Sequence, residues 1–525
     1  MKIDNNEYTD LSIAEKETLK HPGVARPLLF EPVAPRPLKK TRLERLDRLP
    51  LNEATTAMMR VVNYVSTPPL DANTIPELKT RAIPGSETEP SSKQVSRQKG
   101  LQAIYQQVMT DPLYRNSIFN MASTFILGGL GFIFWIIVAR LYKPENVGIA
   151  TTLISIMTLL SSFTGLGLNS SLNRYLPKSI NKNELINSSF VIVTVATLLT
   201  SAIFLLGLQT FSPQLLFVRS SPLYIISFII FIVFCSWNIL VESISMAFRA
   251  AGNILIKNTT ISLLKLVLPF AFIVFGSYGI FASTATALSL GVLVGLLILM
   301  FKFKIKPSLT LNTSLIKETL AYSFANYING FMFNMPSLVL PVIILNTLSA
   351  SYAAYYYIAS MIQNILLIIP LATAQSLLTE GSYNEAGLNK HIKKALITIC
   401  IILVPATAIV VLFGNLLLQF FGKSYATESF VFLQLYSAST VFTALLLVAN
   451  AIMNIKHQIK LLVLSNIIAS ILTLALSYMF ISGKLVGIGW GWMLGQAIAG
   501  LLSLGFIVYT ALNTSQSRSR QDVRK

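Results

Sequence analysis

Residues 280–301 read IFASTATALSLGVLVGLLILMF, and residues 302–306 read KFKIK. The first stretch holds no charge over a length that, as a helix, measures about 33 Å at 1.5 Å per residue. That matches the ~30 Å hydrocarbon core of a bilayer, where every backbone polar group must be satisfied within its own segment. The three lysines at its end mark the side on which cations accumulate. Eleven further runs of this kind surround it, at 118–141, 147–171, 187–208, 222–248, 255–276, 319–344, 352–378, 395–413, 429–452, 459–480 and 485–510. With 53% hydrophobic and only 12% charged residues and a mean hydropathy of +0.64, the 525-residue chain has the profile of a polytopic membrane protein.

Alternate loops divide the Lys and Arg residues unequally. One side takes Arg174, Lys178, Lys182, Arg249, Lys257, Lys302, Lys304, Lys306, Lys317, Lys390, Lys393, Lys394, Lys456, Lys460, Arg518, Arg520, Arg524 and Lys525. The other takes Arg140, Lys143, Arg219, Lys423 and Lys484. The asymmetry predicts that both termini are cytosolic. No apolar h-region occurs in the first hundred residues, so the first span is expected to direct insertion itself.

The expected fold is an all-α membrane protein of twelve transmembrane helices, arranged as two six-helix lobes around a central cavity. The divisions are a disordered cytosolic extension (1–92), an amphipathic juxtamembrane segment (93–115), an N-lobe (116–308), a C-lobe (309–512) and a basic tail (513–525). Residues 1–92 are rich in Pro and charge without apolar periodicity. Leu101, Ile104, Tyr105 and Val108 follow a helical period behind Lys93, Arg97 and Lys99, as in a helix resting on the inner leaflet. Repetition suggests two lobes: the sixth and twelfth runs begin Gly279-Ile280 and Gly487-Ile488. The fourth–fifth hairpin is expected to turn at residues 250–253, and the tenth–eleventh at 451–454. Gly291/Gly295 and Gly487/Gly491/Gly495 suit close helix packing.

No aspartate lies between Asp111 and Asp522, although 23 of the 41 Lys and Arg residues do. Residues 112–525 carry 25 Lys and Arg against 8 Asp and Glu. A carrier of cations or protons needs buried carboxylates, and an anionic cargo suits this charge balance better. Nucleic acid is not expected as a partner, since the excess cations belong to the membrane portion. Ionisable groups within spans are functional candidates, and Glu242 and Lys265 stand out. A hairpin folded about position 253.5 puts them at equal depth, so they either neutralise each other or serve an anion-binding cavity together with Arg249. Amides and tyrosines at helical spacing line further faces: Asn120, Asn169, Tyr322, Asn326, Asn329, Tyr355, Tyr356 and Gln363. They suit a glycan's hydroxyls and apolar ring faces, or interhelical hydrogen bonds. Neither a catalytic constellation nor a phosphate loop nor metal-ligand spacing appears, so an enzyme, a cofactor and a metal are not expected. Cys235 and Cys400 make no disulfide framework.

Asn116-Ser-Ile-Phe-Asn120, Val138-Ala-Arg140-Leu, Pro144-Glu145-Asn-Val-Gly148, Gly165-Leu-Gly-Leu168 and Arg174-Tyr175-Leu-Pro177 form a familiar pattern. It resembles the first hairpin of the polysaccharide-biosynthesis, or O-antigen-type oligosaccharide, flippases of the multidrug/oligosaccharidyl-lipid/polysaccharide exporter superfamily. Ser351-Tyr-Ala-Ala-Tyr355 through Pro370 and Glu380-Gly-Ser382 looks like the matching hairpin of the second lobe. The resemblance implies alternating access and a cargo glycan on a polyprenyl pyrophosphate. It also implies that Arg140, Arg174, Arg249 and Lys265 are the cations that matter. Membrane lipids are implied partners, and the protein is expected to act as a monomer. The drug-exporter branch relies on an acidic residue in an early span, which this chain lacks. Other readings are an organic-cation antiporter, with Glu242 as its carboxylate, and a scaffold whose tail recruits glycan-synthesis enzymes. A major-facilitator carrier lacks its usual Gly- and Asp-containing loop in residues 173–184.

Overall fold

The computed structural model describes residues 112–383 and 387–522. The expected extension and residues 93–111 of the amphipathic segment lie outside the described residues, as do residues 523–525. Among the described residues there is no strand, and twelve helices are long and apolar enough to cross a membrane. They are α1 Pro112–Leu141, α2 Pro144–Thr164, α3 Lys182–Leu206, α4 Pro222–Ala247, α5 Ala251–Ala271 and α6 Gly276–Phe303. The second six are α7 Thr313–Thr347, α8 Ala350–Tyr383, α9 Leu388–Gln419, α10 Lys423–Ile455, α11 Ile459–Met479 and α12 Lys484–Asp522. Pro144 and Pro222 open their helices at the position where a missing N–H costs nothing, and the Ser221 hydroxyl accepts from the Leu223 N–H at 3.3 Å.

Helix packing repeats. In the first half α1 lies on α5, α5 on α6, α6 on α2 and α4, and α3 on α4. In the second, α7 lies on α11, α11 on α12, α12 on α10, and α9 on α10. The two six-helix halves meet where α2 and the short helix Leu168–Tyr175 face α7, and where α2 faces α8. Val147, Ala150 and Leu153 of α2 share one apolar core with Ala353, Ala354 and Ile358 of α8. Gly148 makes this contact possible: a Cβ there would lie 1.6 Å from the Ala350 carbonyl oxygen. Leu412 and Leu416 of α9 and Val267 of α5 are bare on the outer surface, as lipid-facing positions are.

Matching turns strengthen the case for duplication. Arg249 (φ 53°) and His457 (φ 56°) are left-handed residues 208 positions apart. Beside them the Ala250 N–H donates to the Ser245 carbonyl and the Gln458 N–H to the Met453 carbonyl, both at 2.8 Å. Gly276 and Lys484, also 208 apart, both have φ 55°. Gly279 and Gly487 each sit where a Cβ would meet a carbonyl oxygen, that of Phe272 or Phe480, at 2.1 or 1.9 Å.

These turns correct the expected hairpins. The chain reverses between Ala247 and Ala251 and again between Ile455 and Ile459, not at 250–253 and 451–454. Gly252 and Asn253 fall inside α5, where the Asn253 amide donates to Ser245 Oγ at 2.8 Å. Lys257 is consequently a buried helix residue, not a loop cation. The second run also breaks earlier than expected. α2 stops at Thr164 because Leu166 (φ 48°) and Gly167 (φ 78°) turn left-handed, and a short helix restarts at Leu168. α12 continues through residues 513–522 of the expected tail.

Candidate functional site

Moving the turn back by four residues changes which side chains face each other. Glu242 pairs with Lys257 across α4 and α5, its carboxylate 2.8 Å from the ammonium. Asn238, one turn further along α4, accepts a second hydrogen bond from the same Nζ. Lys257 is 1% exposed and Glu242 40% exposed, so the carboxylate is the more open member of the pair. The expected Glu242–Lys265 pairing is not formed: Lys265 lies two turns deeper, its Nζ 5.9 Å from the centre of the Phe134 ring on α1.

The second half has the same node without charge. Asn450 and Ser465 stand 208 positions after Glu242 and Lys257, and Ser465 Oγ donates to Asn450 Oδ1 at 3.4 Å. Asn466 donates to Asn450 at 3.1 Å and to Asn329 of α7 at 2.7 Å. Its counterpart Asn258 donates to Ser123 of α1 at 2.9 Å. Each half therefore ties its first, fourth and fifth helices through one polar layer, ionic in one half and amide-based in the other.

Between the halves lies a cavity of about 200 Å³, walled by the end of α2, the short helix after it, α4 and α7. Asn169, Asn326 and Asn334 supply amides to it, and Tyr327 and Phe331 supply aromatic faces. A smaller hollow of about 70 Å³ lies within the second half, and Asn334 lines both. In that hollow Gln363 donates to Thr440 Oγ1 at 2.8 Å, and its own Oε1 is buried without a protein partner. Gln496 bridges Thr443 and Thr473 at 2.9 and 3.1 Å.

Contacts between the halves occur at both ends of α2. At one end Arg140 donates from Nε to the Phe420 carbonyl at 2.9 Å and from Nη2 to the Gln419 carbonyl at 2.8 Å, capping the C-terminus of α9. Beside it the Ser351 hydroxyl donates to Glu145 at 3.0 Å, and Gln214 donates to the Leu345 carbonyl at 2.7 Å. At the other end Tyr327 donates to the Phe163 carbonyl at 2.6 Å, and Ser171 and Ser323 lie 2.7 Å apart.

The four cations singled out by sequence are dispersed. Arg140 is at the α9 cap, and Arg174 is exposed in the last turn of the short helix, 5.7 Å over the Tyr175 ring. Arg249 is exposed in its turn, and Lys265 is partly buried among helices of the first half. None of them lines the inter-half cavity in this conformation. Of the polar candidates, Asn169 and Asn326 converge there, and Asn329 belongs to the amide node. Asn120 donates to Met246 Sδ at 3.6 Å. Tyr355 packs edge-on to Tyr425 at 5.2 Å, and Tyr356 is buried among Phe432 and Tyr436. The Tyr322 side chain lies outside the described residues. Lys257, Asn466 and Gln496 were missed. The first hid as a loop residue, and the other two are single amides in apolar runs, without a charge to mark them.

Residues 113–375 match the model of a family described as polysaccharide biosynthesis protein. No curated protein is detectably similar in sequence. The fold is similar to that of an inward-facing multidrug resistance MATE family transporter of the MOP superfamily, at 15% identity and a TM-score of 0.59 over 74% of this chain and 95% of that one. It is similar to MATE in the bent conformation, at 14% identity and a TM-score of 0.53 over 79% and 98% of the two chains. A MOP superfamily transporter from Pyrococcus furiosus, described as having a binding pocket of reverse polarity, shares the fold at 14% identity and a TM-score of 0.54 over 78% and 98%. The architecture is thus held in common at low identity, and it is the match spanning half of the sequence that classifies the protein: the chain belongs to the polysaccharide biosynthesis protein family.

Proposed function

We propose that this membrane protein is a flippase that moves a lipid-linked oligosaccharide or polysaccharide precursor from the cytosolic to the outer leaflet by alternating access. Its site is the cavity between the six-helix halves. The observation that carries this reading, beside the family, is the state of Glu242, the carboxylate on α4. It is held by Lys257. An organic-cation antiporter needs a carboxylate free to exchange its cargo for a proton or sodium ion, and this arrangement works against that role. Amides and aromatic faces suit a sugar chain, and Lys265, which makes no ion pair among the described residues, suits a phosphorylated head.

The lobes are read as residues 116–308 and 309–512, and both termini as cytosolic, in the cell membrane. Arg140, Arg174, Arg249 and Lys265 are read as cations that meet the pyrophosphate as the halves move. A pyrophosphate carries about two charges, and outward passage is favoured by ~2.3 kcal/mol per charge at 100 mV. The potential therefore contributes ~4–5 kcal/mol without any coupled ion. The test uses proteoliposomes containing a polyprenyl-pyrophosphate-linked glycan, with appearance at the opposite leaflet as readout. Lys265→Ala is expected to abolish transfer while leaving protein abundance unchanged. Transfer at the unmodified rate would reject the role of Lys265, and absence of transfer by the unmodified protein would reject the flippase.

A further inference from the structure

On the outer flank of the first half, away from the inter-half cavity, α3, α4 and α6 leave an apolar groove of about 510 Å³. Phe190, Thr194, Trp237, Leu296 and Met300 line its walls, and the Trp237 indole donates to Thr194 at 2.9 Å, which fixes the ring as one wall. The groove is roofed by residues 304–312, the irregular strap joining α6 to α7. Asn187 holds the strap by donating to the Lys306 carbonyl at 2.8 Å and to Ser308 Oγ at 2.9 Å, and Ser188 accepts from the Asn312 N–H at 2.9 Å.

At the strap the groove meets a second, polar hollow of about 640 Å³, and Ile305 lines both. Lys182 and Lys304 line this second hollow. Its one carboxylate, Glu184, already accepts from Asn312 at 3.0 Å. Lys178, Lys302 and Lys306 follow in the same segments. Ile180 and Leu309 beside them are 98% and 94% exposed. Bare apolar side chains among lysines are the pattern of a surface seated at headgroup level.

We propose that this paired groove binds one anionic phospholipid, with an acyl chain against Trp237 and the phosphate at Lys182 and Lys304. An apolar slot of this size is within the range of small-ligand pockets. It opens on the flank, whereas the cavity between halves is lined by Ile239, which falls on the opposite side of α4 from Trp237. The occupant is therefore a resident lipid and not the translocated cargo. Placing the site in the cytosolic leaflet rests on the orientation proposed above. The readout involves no translocation, so failure of the flippase reading leaves it intact.

Bromine on an acyl chain quenches a tryptophan that it touches. The full chain is placed in nanodiscs of phosphatidylcholine with increasing acyl-brominated phosphatidylglycerol, and the Trp237→Phe variant is subtracted to remove the other three tryptophans. The expected result is quenching of Trp237 that saturates at a low mole fraction. Lys182→Ala with Lys304→Ala should raise the half-saturating fraction roughly ten- to thirty-fold, from ~1 kcal/mol per lysine near a charged surface. A filled slot, Val191→Phe, should weaken quenching while the lysines remain. Equal quenching by brominated phosphatidylcholine would overturn the proposal, reducing the site to ordinary boundary lipid. Relief of quenching by polyprenyl phosphate at fractions where unbrominated phosphatidylglycerol has no effect would overturn it in favour of the cargo.

Discussion

Removing the two partners of the Glu242–Lys257 pair separately should not cost the same. Glu242→Leu leaves an ammonium that is 1% exposed with only the Asn238 amide for company. Breaking a buried pair from one side costs 3–5 kcal/mol, and the surviving amide contact puts this case near the lower bound, about 3 kcal/mol. Lys257→Met leaves a carboxylate that is 40% exposed, while methionine keeps the apolar stem packed. About 1 kcal/mol is expected, as for pairs at a surface. The double substitution removes both charges and should fall within about 1 kcal/mol of the original protein, giving a coupling of roughly 3–4 kcal/mol. The assay is reversible SDS-driven unfolding of the full chain in mixed micelles, with far-UV circular dichroism confirming helix content. Equal costs for the two single substitutions would refute the asymmetry. A double variant as weak as the sum of the singles would refute the pairing itself.

Gly148→Ala should overpack the α2–α8 contact, since its Cβ would lie 1.6 Å from the Ala350 oxygen. A loss of about 2 kcal/mol is expected, whereas Gly129→Ala, with nothing within 4 Å, should be neutral in the same unfolding assay. Arg140→Ala removes two hydrogen bonds that tie the halves at the α9 cap. It should increase thiol labelling at Ser351→Cys, and Arg140→Lys should restore little because an ammonium cannot reproduce the fork. Asn329→Ala breaks one amide contact of the second-half node and should cost only ~0.6 kcal/mol in stability.

The twelve helices and their grouping in sixes were legible because lipid demands long uncharged runs, and a duplicated chain repeats its punctuation. The turns were less so. Gly252-Asn253 has the composition of a reversal, yet these residues pack inside α5, and the reversal falls on Arg249, whose left-handed φ nothing in its side chain advertises. That error of four residues moved the opposing position by eight, from Lys257 to Lys265. Arg140 showed the complementary difficulty. Its charge drew attention, but its partners are backbone carbonyls of residues 419 and 420, which carry no signature in sequence.

The matched polar layers of the two halves constrain how such a protein diverges after duplication. Exchange between Asn450 and Ser465 on one side and Glu242 and Lys257 on the other needs two substitutions, and their order is not free. A lysine acquired first would be stranded without a counter-charge, whereas a glutamate acquired first stays 40% exposed. Ancestral intermediates bearing the acid alone should therefore be viable and those bearing only the base should not, which gives the history of this transporter a direction set by the unequal burial of the two positions.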